Sequence, residues 1–403
     1  MTRLAVVISH PIQYFGPLYA RLAEMPGVSL KVFYCSDRGA REYRDQGFCK
    51  DIAWDIPLLE GYEYEFLSVT TRPGAKRFQG FGSPDVGSRL ERYGAEIVWI
   101  HGYSQPTMWR AWWWARGRAK CILSGDSELL HPRGLAPRFL KRIFLPAFFK
   151  EIDAFLTVGD NNEAYYRFYG VPLAKFFRGA FPIDVERFKK VATSMSPEVR
   201  AQHRARYGLA PDATVVVFAG KFTSIKRPFD LVDAMARLRP GSGIGVQALL
   251  VGSGPLEVQL RGQVKVAGLE HAVRFTGFVN QAQMPEVLAV ADIVVLCSEV
   301  EPYGIAITEG MACGNAVLAS DRVGCVGPTS PARPGVNTLV HQCGNIDQLA
   351  ANIRMLGEDH ELLARMKSAS LEIVQTQDAS VVAAAVCRAL DSFERPAHNK
   401  RAA

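Results

Sequence analysis

Short runs of β-branched and aromatic residues alternate along the chain with longer stretches of helical periodicity, a pattern that predicts parallel sheets covered by crossover helices. One series of apolar runs comprises LAVVIS (4–9), LKVFYC (30–35), EIVWIHG (96–102), KCILSG (120–125) and DAFLTVG (153–159). A second comprises ATVVVFAG (213–220), VQALLVGSG (246–254), AVRFTGFV (272–279), DIVVLCSE (292–299) and NAVLAS (315–320). Between them, residues 189–212 are polar, charged and poor in strand signals. The expected organisation is a Rossmann-like half over 1–188, a linker over 189–212 and a second Rossmann-like half over 213–378. A final helical pattern covers 379–394, followed by a basic tail to 403. In open α/β sheets ligands bind beyond the carboxyl ends of the strands, so the expected site is the cleft between the two halves.

The size agrees with two domains: 403 residues with 48% hydrophobic content exceed one ordinary core. A balance of 47 Lys and Arg against 40 Asp and Glu gives a net charge of +7. That charge suits a phosphate-bearing ligand or an anionic membrane surface without choosing between them; no nucleic-acid partner is expected. The eight cysteines form no C-x-x-C pair and mostly occupy apolar segments, so reduced core thiols are expected. The opening MTRLAVVISHPIQYFG lacks the layout of a signal peptide. No apolar run reaches the roughly 18 residues that spanning a bilayer needs. A cytoplasmic location is expected, with the tail 395–403 fraying.

The most informative stretch is EPYGIAITEGMACGNAV, 301–317. The run before it ends a strand, YGIAITEGMA reads as a helix, and Gly314 stops that helix in the manner of a C′ glycine. Free N–H groups at Tyr303, Gly304, Ile305 and Ala306 would make an anion site, with Gly304 letting a phosphate approach the backbone. Glu309, one turn inside, would repel a phosphate beside it but could accept hydrogen bonds from the vicinal hydroxyls of a ribose. Glu301 would face whatever lies beyond the phosphates. Alternatively, both glutamates complement the helix dipole on a solvated face. Upstream, AGKFTSIKRPFDLVDAM places Lys221 and Lys226 at a strand end, where they could neutralise a departing diphosphate. LLVGSGP places Gly252 and Gly254 in a tight turn after the next strand.

The ordered set AGKFTSIKRPFDLVDAM, LLVGSGPL, VRFTGFV and ADIVVLCSEVEPYGIAITEGMACGNAVLAS resembles the nucleotide-binding half of the family-4 glycosyltransferases, retaining enzymes with the GT-B fold. The resemblance implies two Rossmann-like domains facing a central cleft, the first on the acceptor side. It implies that Lys221 and Lys226 bind the donor diphosphate and Glu309 the ribose. The loop from Glu301 to Ala306 would take the donor sugar and phosphates, and VRFTGFV, with Phe278, would edge the base pocket. Lys221 stands where many relatives carry arginine, exchanging a bidentate fork for a point charge. The resemblance also implies catalytic roles for His101, Glu301 and Lys226, with His101 near the donor sugar. Gly16 would offer a close phosphate approach, although His10, Gln13 and Tyr14 replace the small residues usual in that loop.

The start of the chain, together with WDIPLLEGYEYEFL (54–67), is similar to a bacterial subset that builds surface polysaccharides. Residues 36–90 read as long loops over the acceptor side of the cleft. GAFPIDVERF matches the family's crossover at Pro182, Asp184 and Phe188, with Asp184 as a cap or turn, and the last helix is implied to return to the first half. MWRAWWWARGRAK (108–120) and PRFLKRIFLPAFFKEI (137–152) mix cations with large aromatics. As crossover helices both should bury an aromatic face, with peripheral membrane contact as a second role.

No D-x-D motif or histidine ligand spacing occurs, so neither metal nor cofactor is expected beyond the nucleotide-sugar co-substrate. The implied reaction moves a sugar from a nucleotide-diphospho-sugar to a hydroxyl of a glycan or lipid-linked acceptor with retention. The competing readings are a sugar-nucleotide epimerase or hydrolase and a binding or scaffold protein that has lost catalysis.

Overall fold

The computed structural model describes residues 1–70, 80–131, 134–238 and 245–394; the tail expected to fray lies outside them. Among these residues the first half carries a seven-stranded sheet. Its order is Glu63–Phe66, Val28–Tyr34, Thr2–Ile8, Ile97–His101, Lys120–Ser124, Ala154–Thr157, Phe176–Arg178. The second half carries a six-stranded sheet ordered Val273–Gly277, Val246–Val251, Thr214–Ala219, Ile293–Leu296, Ala316–Ser320, Thr338–His341. Neighbours are parallel throughout both sheets. Central strands such as Thr214–Ala219 are buried along their whole length, as expected where helices cover both faces. Strand order reverses direction beside Thr2–Ile8 in one sheet and beside Thr214–Ala219 in the other, and those switch points open the crevices in which ligands bind.

Residues 189–212, expected as a linker, contain the end of helix Val185–Ser194 and all of helix Pro197–Arg206. Asp184 caps the first by accepting from the Arg187 N–H at 3.1 Å, and Ser196 caps the second with Pro197 at its first position. Arg204, only 2% exposed, donates to Val290 O, Pro211 O, Ala213 O and, at 2.7 Å, to Asp292. Burial alone would raise the Asp292 carboxyl, but Lys367, Arg200 and the Val215 N–H hold it well below its ordinary range. A buried arginine with all these acceptors fixes this segment to the second sheet rather than leaving it between the halves.

Helix Ala379–Glu394 returns to the first half, where Val382, Ala383, Val386, Ala389 and Leu390 join the core beside helix Phe15–Ala23. The outgoing and returning chains lie side by side, joined by a bridge between Ile183 and Asp378 and by the Ile183 N–H donating to Gln377 O at 3.2 Å.

Neither of the two aromatic, cation-rich stretches buries all of its aromatic residues, and Trp113 of the first is 64% exposed. Helix Pro106–Ala115 buries Met108, Ala111 and Ala115. Helix Leu135–Lys150 buries Leu145, Phe148 and Phe149 but leaves Phe139, Leu140, Ile143 and Phe144 exposed, against the expectation that its aromatic face would all pack on the sheet. The cause is placement: the sheet accepts only one face of the helix, and the apolar residues cover two. Of the eight free cysteines, Cys35, Cys121, Cys297 and Cys325 are buried, while Cys49 is exposed.

Candidate active site

Each element of the second half ends on the cleft for a local reason. Strand Thr214–Ala219 runs out at Gly220, and a single 3-10 turn, Ser224–Lys226, follows. Arg227 closes that turn at φ 50°, held by paired hydrogen bonds to Asp230 at 2.8 and 3.0 Å. Strand Val246–Val251 ends at Gly252, where a Cβ would stand 1.9 Å from the Gly220 carbonyl oxygen, so only glycine lets these two strand ends lie together. Gly304 adopts φ 108° as the N-cap of helix Ile305–Ala312 and presents the first turn's N–H groups to the cleft.

These ends enclose a cavity of about 450 Å³ that also takes residues from the first half. Lys221, Lys226, Gly252, Phe278, Glu301, Tyr303, Gly304, Ile305, Ala306 and Glu309 all line it. Lys226 is ion-paired to Glu301, which also receives a bond from the Ser298 hydroxyl. The Tyr303 ring is buried, tilted against Phe181 at 5.2 Å, with its hydroxyl donating to Gln377 at 2.8 Å.

Glu309 is 4% exposed, and its Oε1 is buried without a hydrogen-bond partner among the described residues. Burial lifts its carboxyl to about 7, opposed in part by the Arg187 charge and a hydrogen bond from Gln281. The Tyr14 hydroxyl, from the first half, is raised far above its usual range by burial and then by the Glu309 charge. An acceptor atom that is dry, unpaired and on a cavity wall suits a hydroxyl donor on a ligand. This excludes the solvated-face alternative for Glu309.

Three expected residues stand off this wall. Gly16 is buried inside helix Phe15–Ala23, where a Cβ would meet the Leu58 carbonyl oxygen at 3.0 Å; its smallness serves packing there. Gly254 lies against the Phe222 main chain and the Gly47 carbonyl, which a Cβ would crowd. His101 lines a neighbouring cavity of about 230 Å³ that shares Asp126 and Phe181 with the main one. Its two ring nitrogens meet the Tyr19 hydroxyl at 2.9 Å and the Ser124 hydroxyl at 3.3 Å, and its ring stacks on Trp99. Burial lowers its pKa to about 3, so it is neutral and fully engaged.

The structure adds residues that sequence reasoning missed. A strap from the first half, carrying the hairpin Tyr43–Asp45 and Lys50–Ile52, crosses onto the second half. Asp45 pairs with Lys221 at 3.0 Å, Phe48 packs edge-on against Phe278, and the Ser253 hydroxyl donates to Phe48 O at 2.8 Å. Farther along, Asn280 donates to Ala53 O and the Ala282 N–H to Asp55. Burial pushes the Asp45 carboxyl up, but the Phe48 N–H and Lys221 outweigh it and hold it below its ordinary value. His131 is a second link: its Nε2 accepts the Glu301 N–H at 3.2 Å while buried Glu128 engages its Nδ1. His10, beside Arg38 on the cavity wall, is lowered to about 4 by burial and by that arginine. The signal for the strap was its length alone, and it reaches across the cleft to Phe278 and Ser253.

Residues 199–372, which contain the lysine turn, the glycine turn and both glutamates, match the model of the family described as Glycosyl transferases group 1. Over those residues the second half is similar to group 1 glycosyltransferases. A D-inositol 3-phosphate glycosyltransferase of Jonesia denitrificans is 30% identical over 217 residues, which is 52% of this chain and 50% of that protein. An N-acetyl-alpha-D-glucosaminyl L-malate synthase of Bacillus anthracis is 30% identical over 176 residues, 44% of each chain. The chain spans about half the length of the curated relatives it matches. Architecture extends further than sequence. Anabaena HepE, solved in complex with UDP, superposes with a TM-score of 0.73 at 20% identity, covering 97% of this chain and 100% of that one. Both halves therefore follow the GT-B fold.

Proposed function

We propose that the protein transfers a sugar from a nucleotide-diphospho-sugar to a hydroxyl of a glycan or lipid-linked acceptor, with retention of configuration, in the assembly of a bacterial surface polysaccharide. The observation that carries this reading is the unpaired, buried Oε1 of Glu309 on a cavity wall shared with Lys221, Lys226 and the start of helix Ile305–Ala312. In this reading Glu309 takes the ribose hydroxyls, and the helix N–H groups and both lysines take the diphosphate. Glu301 faces the sugar.

The bond between the anomeric carbon and the diphosphate oxygen breaks as the acceptor oxygen bonds to that carbon and gives up its proton to the departing diphosphate. The charge developing on the diphosphate falls on the two lysines and the helix start, without a metal ion. Arrival of the diphosphate requires Lys226 to leave Glu301 and Lys221 to leave Asp45, which also frees both carboxylates. UDP in the HepE structure supports a nucleotide ligand. The test is a thermal-shift panel with UDP, GDP, ADP, CMP and dTDP, followed by product analysis with and without acceptor. A selective shift and acceptor-dependent product are expected. Donor consumption without acceptor would indicate an epimerase or hydrolase instead, and no shift with any nucleotide would remove the reading.

A further inference from the structure

Beside the charged cleft lies the second cavity, of about 230 Å³, for which the proposed reaction has given no occupant. Four neighbouring strands of the first sheet supply Ile8, Trp99, Ser124 and Leu156 to its wall. Phe15 and Val382, from the first and last helices, close it. Phe181 lines both cavities, its ring centred 5.4 Å from that of Phe15 and 5.2 Å from that of Tyr303. Asp126 also lines both and is exposed, so the two cavities meet at its side chain.

Hydrogen bonding selects the kind of occupant. The Trp99 indole N–H donates to the Ser124 hydroxyl at 2.8 Å, and that hydroxyl also meets the His101 ring at 3.3 Å. The other His101 nitrogen meets Tyr19, the Ser9 hydroxyl meets His10 at 2.9 Å, and the Gly102 N–H donates to Ser124 O at 2.7 Å. These groups are satisfied within the protein, so a ligand hydroxyl placed among them would leave water for little return. Apolar atoms gain by the same move. A dry cavity of about 150 Å³ holds benzene, and this one therefore has room for a hydrocarbon ring or branched chain of that size. The adjoining cavity is its chemical opposite, with Lys221, Lys226 and Glu301 on the wall. A ligand that reaches from one into the other is amphipathic.

We infer that the second cavity is a subsite for a compact apolar group carried next to the hydroxyl that receives the sugar. The hydroxyl then lies by Asp126, where the cavities meet, with the apolar group among Phe15, Trp99 and Phe181. The inference rests on the transferase reading and narrows it: the acceptor is an amphipathic glycoside or alcohol, and an all-polar glycan would leave the cavity unfilled. The apolar contact itself does not depend on transfer, so it and nucleotide binding are measured separately.

The probes are phenyl β-D-glucopyranoside and methyl β-D-glucopyranoside, which share a polar head and differ in the apolar group. Each is titrated by calorimetry into the full chain with and without UDP. The parent should bind the phenyl compound about tenfold or more tightly than the methyl compound. Ile12 lines the second cavity but not the first and is only partly buried. Ile12→Trp, which fills the cavity, and Ile12→Asn, which makes its wall polar, should each cut the preference to about twofold or less. Both should keep the parent's melting temperature and UDP-induced thermal shift. In crystals soaked with the phenyl compound, the ring should lie among Phe15, Trp99 and Phe181. Failure of the parent to bind the phenyl compound, or equal affinity for the two probes, overturns the inference. A preference that survives in a variant with the parent's melting temperature overturns it too, as does a phenyl ring found elsewhere in the crystal. Loss of the UDP shift in the parent, with the phenyl preference intact, would count only against the transferase reading.

Discussion

The two sheets are built alike, each parallel and each opening a crevice at a switch point, yet they furnish the cleft in different ways. The second half contributes short turns: a glycine pair that lets two strand ends touch, one 3-10 turn and the first turn of a helix. The first half contributes long side chains on a long excursion, with Asp45, Phe48 and Trp54 reaching across and His10 and Arg38 beside them. A diphosphate and a ribose pose the same chemical problem in every nucleotide, which main-chain groups and fixed charges answer. On the proposed reading, a varying acceptor would be met by side chains on loops, which tolerate change.

Substitutions can break or sharpen that contrast. The largest effect is expected from Lys226→Ala, which removes a cation from the departing diphosphate. Turnover should fall by about 10²–10³ with the melting temperature little changed, and steady-state kinetics beside a thermal melt would show whether the lysine is only a surface charge.

Next is Glu309→Gln, which should weaken nucleotide binding by roughly tenfold, read by calorimetry. The same change should alter stability in a direction set by pH. The folded carboxyl sits at about 7 against an ordinary 4.5, so the parent loses stability as pH rises through that interval and the loss is complete above 7. The variant lacks this loss. It should match the parent near pH 4 and exceed it at pH 8 by up to about 3 kcal/mol, an upper bound from the shift. Equal melting temperatures at pH 8 would contradict the buried, unpaired carboxylate.

A smaller gain is expected from Asp45→Asn in the first half. Lys221 is then released for a ligand, and because that pair is partly solvated, nucleoside diphosphate affinity should rise by only about fivefold. A loss of affinity would show that the strap contributes to the site more than it competes with it. The smallest effect on ligand belongs to His101→Gln. It gives up the bonds to Tyr19 and Ser124 and should cost about 1–2 kcal/mol of stability, while nucleotide affinity changes less than about twofold. A large fall in turnover alone would restore a catalytic role to this histidine.

Legibility followed the same division. In the second half, function is written in local order: a lysine turn, a glycine turn and a helix start with two glutamates, each readable because a few consecutive residues fix its geometry. The buried runs that form the central strands were equally plain. The edge strands Glu63–Phe66, Phe176–Arg178 and Thr338–His341 were not seen, being short and only partly apolar. Asp45 and His131 could not be found either, since their meaning lies in partners 176 and 170 residues away. Gly16 shows the converse: position after a strand suggested the cleft, but its approach to Leu58 serves packing. His101 lines the neighbouring cavity while its ring nitrogens meet Tyr19 and Ser124. The apolar stripe on helix Leu135–Lys150 was visible as composition, but which side the sheet would take was not.

The bridge between Ile183 and Asp378 has a mechanical meaning. Because the last helix rejoins the first half, the whole of the second half is a closed loop of chain inserted into the first and covalently attached at one neck. A pull applied at Thr2 and Glu394 would run through strand Thr2–Ile8 and helix Ala379–Glu394, and the second half would stay outside the load path until those gave way. Torsion is different: a twist of one half against the other has a single doubled strand of chain as its axle.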